Sequence, residues 1–200
     1  VIDKMCAIAE NKNVQVIMVI TKTDMAEYEN IRSVYAKAGF KVFYTGADDD
    51  GQLEEIRSEM QGKLCVFSGN SGVGKSTLLN KLFPHLSLET GITSKKLGRG
   101  KHTTRRVEIF ETDGCMVADT PGFSSVELVD DNFISKDDLQ YAFVEFAPYL
   151  GSCKFADCRH INEIGCAVKG AVDGGEIPQS RYESYQALYD RQKKIKEWEL

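Results

Sequence analysis

Two short motifs stand in an unusual order along this chain, and they constrain its fold more than any other feature. The motif Thr21–Asp24 (TKTD) fits the pattern [NT]KxD, typical of guanine selection, and it precedes the stretch Gly69–Thr77 (GNSGVGKST). That second stretch fits the phosphate-binding pattern G-x-x-x-x-G-K-[ST]. A third motif, Asp119–Gly122 (DTPG), comes last, whereas [NT]KxD ordinarily follows both of the others. We therefore predict a circular permutation of a nucleotide-binding fold, because all three loops can still meet at one edge of a sheet.

The apolar segments of the first 130 residues alternate between strand-like and helix-like spacing. This alternation predicts an α/β fold with a doubly wound sheet and helices on both of its faces. Strands are predicted at Val14–Ile20, Lys41–Tyr44 and Leu64–Ser68, and helices at Glu27–Ala38, Leu53–Met60 and Thr77–Phe83. An antiparallel hairpin is predicted from two segments around an Asp-Gly turn, Arg106–Phe110 and Cys115–Ala118.

The pattern changes after about Asp130, where apolar residues become sparser and cysteines cluster. The end of the chain, from Arg181 to Leu200, predicts a charged helix. We predict two domains, a permuted nucleotide-binding domain at 1–130 and a small, mainly helical domain at 131–200. Val1 is not an initiator methionine and the chain opens on a helical pattern, so we expect an upstream part of the protein to be missing from this sequence.

Composition excludes few classes of protein. With 200 residues, of which 42% are hydrophobic, the chain can bury one nucleotide-binding core and a small appendage. The net charge of -5 argues against wholesale electrostatic capture by nucleic acid, although basic patches can still bind it locally. No apolar run approaches the roughly 20 residues that span a bilayer, and the first residues lack the layout of a signal peptide.

The glycine-rich stretch is predicted to hold the phosphates of a nucleotide between a strand and a helix. Its glycines allow a tight loop whose N–H groups point at the phosphates, and the helix N-terminus adds positive potential. Lys75 would reach the β/γ-phosphate oxygens, and Ser76 would bind Mg²⁺. The predicted contacts from this stretch are Gly69, Asn70, Ser71, Gly72, Val73, Gly74, Lys75, Ser76 and Thr77.

The first motif, Thr21, Lys22, Thr23 and Asp24, predicts selectivity for guanine. The Asp24 carboxylate can accept hydrogen bonds from the N1–H and the exocyclic amine of guanine, a pair of donors that adenine lacks. The alkyl stem of Lys22 can cover the base. Thr21 stands where Asn is commoner, and its hydroxyl can tie this loop to the phosphate loop. A Ser-Ala-type loop that supports the base through a backbone N–H is predicted at Thr45, Gly46 and Ala47.

The residues between the phosphate loop and the third motif fit a magnesium-linked switch. Asp119 ends an apolar strand, as a magnesium-associated aspartate would, and Gly122 is placed to offer its N–H to the γ-phosphate. The basic, polar segment Lys95–Arg106 has the position of a switch whose threonine completes the magnesium shell. Thr104 and Thr103 both fit that role, and a solvated basic loop is the alternative interpretation.

The group that orients the attacking water is missing from its usual place. Many GTPases carry a glutamine directly after D-x-x-G, but this chain carries Phe123, whose ring cannot orient water. His102 is the nearest substitute, and it could position water or stabilise charge. Contact with RNA, or a role in shaping the loop, is an equally good interpretation of His102. The predicted catalytic residues are therefore His102, Thr104 and Lys75, with slow intrinsic turnover.

A cysteine and histidine cluster near the end of the chain predicts a metal site. Cys153, Cys158, His160 and Cys166 form C-x4-C-x-H-x5-C, a Cys3His set suited to tetrahedral zinc. Four protein ligands leave no open position, so the zinc would be structural. Lys154, Arg159 and Lys169 nearby could meet RNA phosphates, although a solvated surface is the simpler interpretation of each.

The motif order, the sequences GNSGVGKST, LGRGKHTTRR and DTPGF, and the Cys3His cluster together resemble the RsgA (YjeQ, YloQ) family of small-ribosomal-subunit-dependent bacterial GTPases. The resemblance covers nearly the whole chain. It implies a cytoplasmic factor of late small-subunit maturation that binds GTP or GDP with Mg²⁺, binds rRNA, and hydrolyses GTP faster on the subunit. It implies the same four zinc ligands. Members usually carry an N-terminal OB-fold domain, for which this sequence has no room.

We expect a monomer that acts on neither DNA nor membranes. Two other functions stay open at this point. One is a non-enzymatic RNA-binding zinc protein that uses nucleotide as a structural ligand. The other is an ATPase, against which the carboxylate of Asp24 argues.

Overall fold

The fold is given by a computed structural model, which describes residues 1–46, 51–70, 72–84, 108–119 and 134–194. Its helices are α1 (Ile2–Asn11), α2 (Glu29–Lys37), α3 (Leu53–Met60), α4 (Lys75–Leu82), α5 (Ala167–Asp173) and α6 (Gln179–Lys194). Its strands are β1 (Ile17–Thr21), β2 (Lys41–Thr45), β3 (Leu64–Val66), β4 (Glu108–Thr112) and β5 (Cys115–Asp119). Two 3₁₀ helices occupy Leu139–Ala142 and Val144–Tyr149.

The described strands form a two-stranded sheet of β1 and β2 and a three-stranded sheet in the order β3-β5-β4. In the second sheet β3 lies parallel to β5, and β4 lies antiparallel to it, with Thr112 opposite Cys115. The hairpin prediction is confirmed. Asp113 and Gly114 both have positive φ angles, 44° and 80°, as a two-residue turn that follows the strand twist requires.

Every predicted helix and strand within the described residues is present; α3 has its predicted bounds, and the others have shifted ends. The start of β1 shifts furthest, from Val14 to Ile17, and α4 begins at Lys75 instead of Thr77. Gly74 supplies the physical reason, because it adopts φ +93° and turns the chain directly into the helix. The phosphate-loop lysine is therefore the first helical residue. No helix among the described residues is both long and apolar enough to cross a membrane.

The described residues fall into two compact units. The first unit comprises those within Val1–Met18, Tyr28–Val42 and Asp130–Leu200, and the second comprises those within Val19–Glu27 and Phe43–Val129. The first unit thus combines α1 and α2 with the C-terminal part of the chain. The predicted boundary at residue 130 separates two parts of the chain that would each fold on their own, and it stays a prediction.

The core of the second unit explains why α3 and α4 form. Leu53, Ile56 and Met60 recur at helical spacing along α3, and all three are buried. They pack in one cluster with α4 and β5, through the side chains of Leu78, Leu82, Cys115 and Val117. This packing fixes the helix that leaves the phosphate loop against the helix that follows β2.

A buried arginine organises the first unit. The Arg181 side chain on α6 has 0% exposure, and it binds both carboxylate oxygens of Glu145 at 2.6 and 3.1 Å. Its remaining terminal nitrogen donates to Asp3 on α1 at 2.7 Å, and the Ser184 hydroxyl donates to the same carboxylate. The guanidinium also lies 4.7 Å from the centre of the Phe143 ring. The guanidinium of Arg181 therefore connects three elements through its ion pairs: α1, the 3₁₀ helix Val144–Tyr149 and α6.

Candidate functional site

The phosphate loop joins β3 to α4 in the second unit. Three of its glycines have positive φ angles, and Gly74, at +93°, is the N-cap of α4. A Cβ atom on Gly74 would lie 3.5 Å from the Thr21 hydroxyl oxygen, so the strain of any other residue would come from the backbone angle. The first N–H groups of α4 have no partner within the helix, as an anion site requires.

The ammonium group of Lys75 lies over the phosphate loop. It donates to the Gly69 carbonyl and, at 3.0 Å, to the Asn70 carbonyl. Lys75 and Ser76 are the first two residues of α4, and both side chains are half-buried. The two residues predicted to meet phosphate and Mg²⁺ are therefore consecutive in the first turn of the helix that leaves the loop.

The motif that ends β1 is bonded to the phosphate loop. The Thr21 hydroxyl donates to the Val73 carbonyl, which is the tie between loops that the sequence predicted. The Lys22 ammonium donates to the Gly72 carbonyl at 2.7 Å, and Lys22 adopts φ +58°. Thr23 is half-buried and Asp24 is exposed. Two motifs that are about 50 residues apart in the sequence thus form one site.

The segment after β2 reaches the same helix. Thr45 is buried, and the Gly46 carbonyl accepts a hydrogen bond from the Lys81 ammonium on α4 at 3.0 Å. The sequence contained no signal for this contact, because Lys81 belongs to none of the motifs.

Asp119 is the last residue of β5, whose Ala118 lies opposite Val66 of the parallel strand β3. Parallel neighbours end at the same edge of a sheet, so the end of β5 and the phosphate loop share that edge. The other predicted site residues lie outside the described part of the chain: Ala47, Ser71, His102, Thr103, Thr104 and Gly122.

The four predicted metal ligands come together in the first unit, with their ligand atoms all within 4.8 Å of one another. The His160 Nδ1 atom lies 3.6, 3.5 and 3.3 Å from the sulfurs of Cys153, Cys158 and Cys166. The sulfurs of Cys153 and Cys166 are 4.0 Å apart. Tetrahedral zinc places sulfurs about 3.8 Å apart, and sulfur and nitrogen about 3.6 Å apart. The residues therefore fit zinc in both donor type and spacing.

Hydrogen bonds orient the metal-facing groups. The Nε2 atom of His160 lies 3.0 Å from the Gln140 amide oxygen, so Nε2–H donates there and Nδ1 keeps its lone pair for a metal. Burial lowers the pKa of His160 and outweighs the negative charge of Glu163, which acts to raise it. The lowered pKa keeps the imidazole ring neutral at neutral pH. The backbone N–H groups of Ala167 and Lys169 donate to the sulfurs of Cys153 and Cys166. Gln140 was not predicted, since it precedes the cluster by more than ten residues.

Two solved structures have the same fold as this chain. The chain superposes on the crystal structure of YloQ, described as a circularly permuted GTPase, with a TM-score of 0.75 and 37% identity over 98% of this chain and 63% of that one. It also superposes on YjeQ from Thermotoga maritima, with a TM-score of 0.75 and 33% identity over 98% and 66% of the two chains. The protein has the fold of a circularly permuted GTPase, as the motif order predicted.

The family follows from the sequence matches. The RsgA GTPase family matches residues 1–129. The small ribosomal subunit biogenesis GTPase RsgA of Alkaliphilus metalliredigens is 41% identical over 198 residues, which are 96% of this chain and 66% of the relative. The chain belongs to the RsgA GTPase family, a family of GTP-hydrolysing enzymes. It spans about two thirds of the length of these relatives.

Proposed function

We propose that this chain binds GTP with Mg²⁺, hydrolyses it to GDP and phosphate, and acts in late maturation of the small ribosomal subunit. The observation that carries the proposal is the pair of hydrogen bonds from Thr21 and Lys22 to the phosphate-loop carbonyls. These bonds join a guanine-selecting motif to a phosphate-binding loop in one site, even though the chain presents the two in reversed order. The names of the relatives support the subunit as the place of action.

Each residue of the site has a proposed role. Lys75 and the loop N–H groups hold the phosphates, while Asp24 and the stem of Lys22 select and cover guanine. Bound Mg²⁺ would offset the charge of the β- and γ-phosphates, with Ser76, Asp119 and Thr104 or Thr103 as its protein partners. Water attacks the γ-phosphorus, the bond to the bridging oxygen breaks, and GDP leaves without a covalent enzyme intermediate.

The remaining parts of the proposal concern partners and the metal centre. We propose that Cys153, Cys158, His160 and Cys166 hold one structural zinc ion, because their donor atoms match a closed tetrahedral set. We also propose a cytoplasmic monomer that binds rRNA of the small subunit. Phosphate release under multiple-turnover conditions, with GTP or ATP and with or without purified small subunits, tests the proposal. Equal rates with GTP and ATP would contradict it.

Base selection is expected to depend on Asp24. Asp24→Asn should weaken GTP binding about tenfold to a hundredfold, since hydrogen bonds to a charged group contribute about 1.5–3 kcal/mol. The same variant should gain affinity for XTP, because the amide offers a donor to the xanthine oxygen. Competition binding with both nucleotides measures the shift. Asp173→Asn, the same change at an exposed position on α5, should leave both affinities unaltered, and an identical shift there would remove the assignment.

The role of His102 is tested by two rates. If His102 positions water, His102→Ala should lower intrinsic turnover by about 10²–10⁴-fold, the usual contribution of a positioned proton-transfer group, while GTP binding changes little. If His102 instead contacts rRNA, only the subunit-stimulated rate should fall. A variant with both rates intact would exclude both roles.

A further inference from the structure

The helix that starts at the phosphate loop also touches the segment proposed to support the base. Lys81 lies in the last turn of α4, and its ammonium donates to the Gly46 carbonyl at 3.0 Å. The Thr45 hydroxyl donates to the same carbonyl at 3.4 Å. Because α4 begins at Lys75 and spans only eight residues, one rigid element joins the phosphate loop to the segment after β2.

The position of Lys81 is itself fixed. Arg57 on α3 donates from Nη2 to the Lys81 carbonyl at 2.7 Å and from Nε to the Leu82 carbonyl at 3.1 Å. Carbonyl groups in the last turn of a helix have no partner within that helix, so Arg57 caps α4. The backbone of Lys81 is therefore held by α3 while its side chain reaches Gly46.

The far end of the segment is closed by a tight backbone approach. The Gln52 N–H donates to the Tyr44 carbonyl at 3.3 Å. Gly51 adopts φ +53°, and a Cβ atom there would lie 2.4 Å from the Tyr44 oxygen, so only glycine fits. Gly51 and Gln52 therefore lie against the end of β2, and Lys81 holds Gly46, the first residue after that strand.

The hydrogen bond from Lys81 to the Gly46 carbonyl matters for recognition of a base. Glycine has the widest choice of backbone angles, so a Gly46 that lacked partners would sample many orientations. The peptide group is planar, so a hydrogen bond that holds its carbonyl oxygen restricts rotation of the whole group, including the N–H on its other side. Guanine presents O6 as an acceptor where adenine presents an amine, and an N–H donor discriminates between them only if its direction is fixed.

We propose that Lys81 is a positioning residue for guanine selection, acting through the carbonyl of Gly46 and not through the phosphates. The inference rests on the proposed function, since it assigns the segment after β2 to the 6-oxo edge of the base. Lys81 touches no nucleotide in this scheme. It holds Gly46 at a fixed position relative to α4, the helix that begins at the phosphate loop.

The test compares two nucleotides that differ at one edge. GDP carries O6 and an N1–H, and 2-aminopurine riboside 5′-diphosphate has the same phosphates and amine but lacks both. The lost N1–H weakens its binding to parent and variant alike, so the effect of Lys81 is read from the variant-to-parent ratio for each nucleotide. Lys81→Met should weaken GDP binding about tenfold, as expected for loss of one charge-assisted hydrogen bond, and should change binding of the O6-free nucleotide less than about twofold. Lys81→Arg keeps a donor and should recover most of the GDP affinity. Lys63→Met is the matched control, because Lys63 pairs with Glu59 at 3.7 Å away from this loop, and it should change neither affinity.

The outcomes separate this inference from the proposed function. Equal losses for both nucleotides, or affinities identical to the parent, would overturn the role of Lys81 and leave the proposed function standing. Lys81→Gln, which keeps most of the stem, repeats the comparison if the methionine variant folds poorly. A parent protein that binds GDP no better than ADP would overturn the proposed function, and the inference with it.

Discussion

Cys158→Ala is expected to release the zinc ion and to unfold the region around it. Purified parent protein should contain close to one zinc ion per chain, and the variant close to none. Burial raises the pKa of the Cys158 thiol to about 12, which favours the neutral thiol at neutral pH. A bound zinc ion would offset the buried negative charge and hold the sulfur as the thiolate that ligates the metal. Structural zinc sites contribute about 10–16 kcal/mol of apparent binding free energy at neutral pH, which is more than a small unit can lose and stay folded.

Elemental analysis and hydrogen exchange measure the two effects. Exchange should accelerate in α5 and α6, while β3 and α4 of the second unit, which have their own core, keep their protection. Cys65→Ala is the matched control, because it removes a half-buried thiol outside the cluster and should leave the zinc content unchanged. Parent protein that contains no zinc after purification without chelators would reject the site, whatever the variant does.

Arg181→Met is expected to destabilise the first unit by about 3–5 kcal/mol, because breaking a buried ion pair leaves uncompensated charge. The charge left behind is that of Glu145, whose side chain is 2% exposed, together with that of Asp3. Methionine fills similar space, so the loss would come mainly from the unpaired carboxylates and not from a cavity. Urea unfolding, followed by hydrogen exchange in α1 and α6, measures the change.

The control for Arg181 is an arginine of the same unit in an exposed pair. Arg32 lies 3.0 Å from Glu29, with side-chain exposures of 49% and 67%, and Arg32→Met should cost less than about 1 kcal/mol. Asp3→Asn, which removes one of the two acceptor charges, should have an intermediate effect. Equal small losses for Arg181→Met and Arg32→Met would show that the buried network contributes little.

Local patterns predicted the features that depend on local chemistry. The hairpin β4–β5 follows from its Asp-Gly turn, and the Cys3His cluster follows from ligand spacing over 14 residues. The junction of Thr21 with the phosphate loop was predictable as well. Motif order implied that the two loops meet at one site, and they do so although β1 and β3 belong to separate sheets among the described strands.

Contacts that depend on the packing of distant elements were not predictable from local patterns. Lys81 resembles any solvated lysine on a helix, and only the packing of α3 on α4 brings it to Gly46. Arg181 sits in a strongly charged helix, where periodicity predicts a surface residue, yet it is fully buried. Its two carboxylate partners are 36 and 178 positions away in the sequence, so no spacing rule connects them.

The bond between Asp3 and Arg181 has a consequence for protein synthesis. The carboxylate leaves the translating ribosome first, and its partner follows 178 residues later. At about 5–20 residues per second, the wait is roughly 9–36 s. A ten-residue helix such as α1 is marginal on its own in water. The segment that forms α1 must therefore wait, without its buried partner, until translation has passed α6, so the first unit assembles only after α6 has been made.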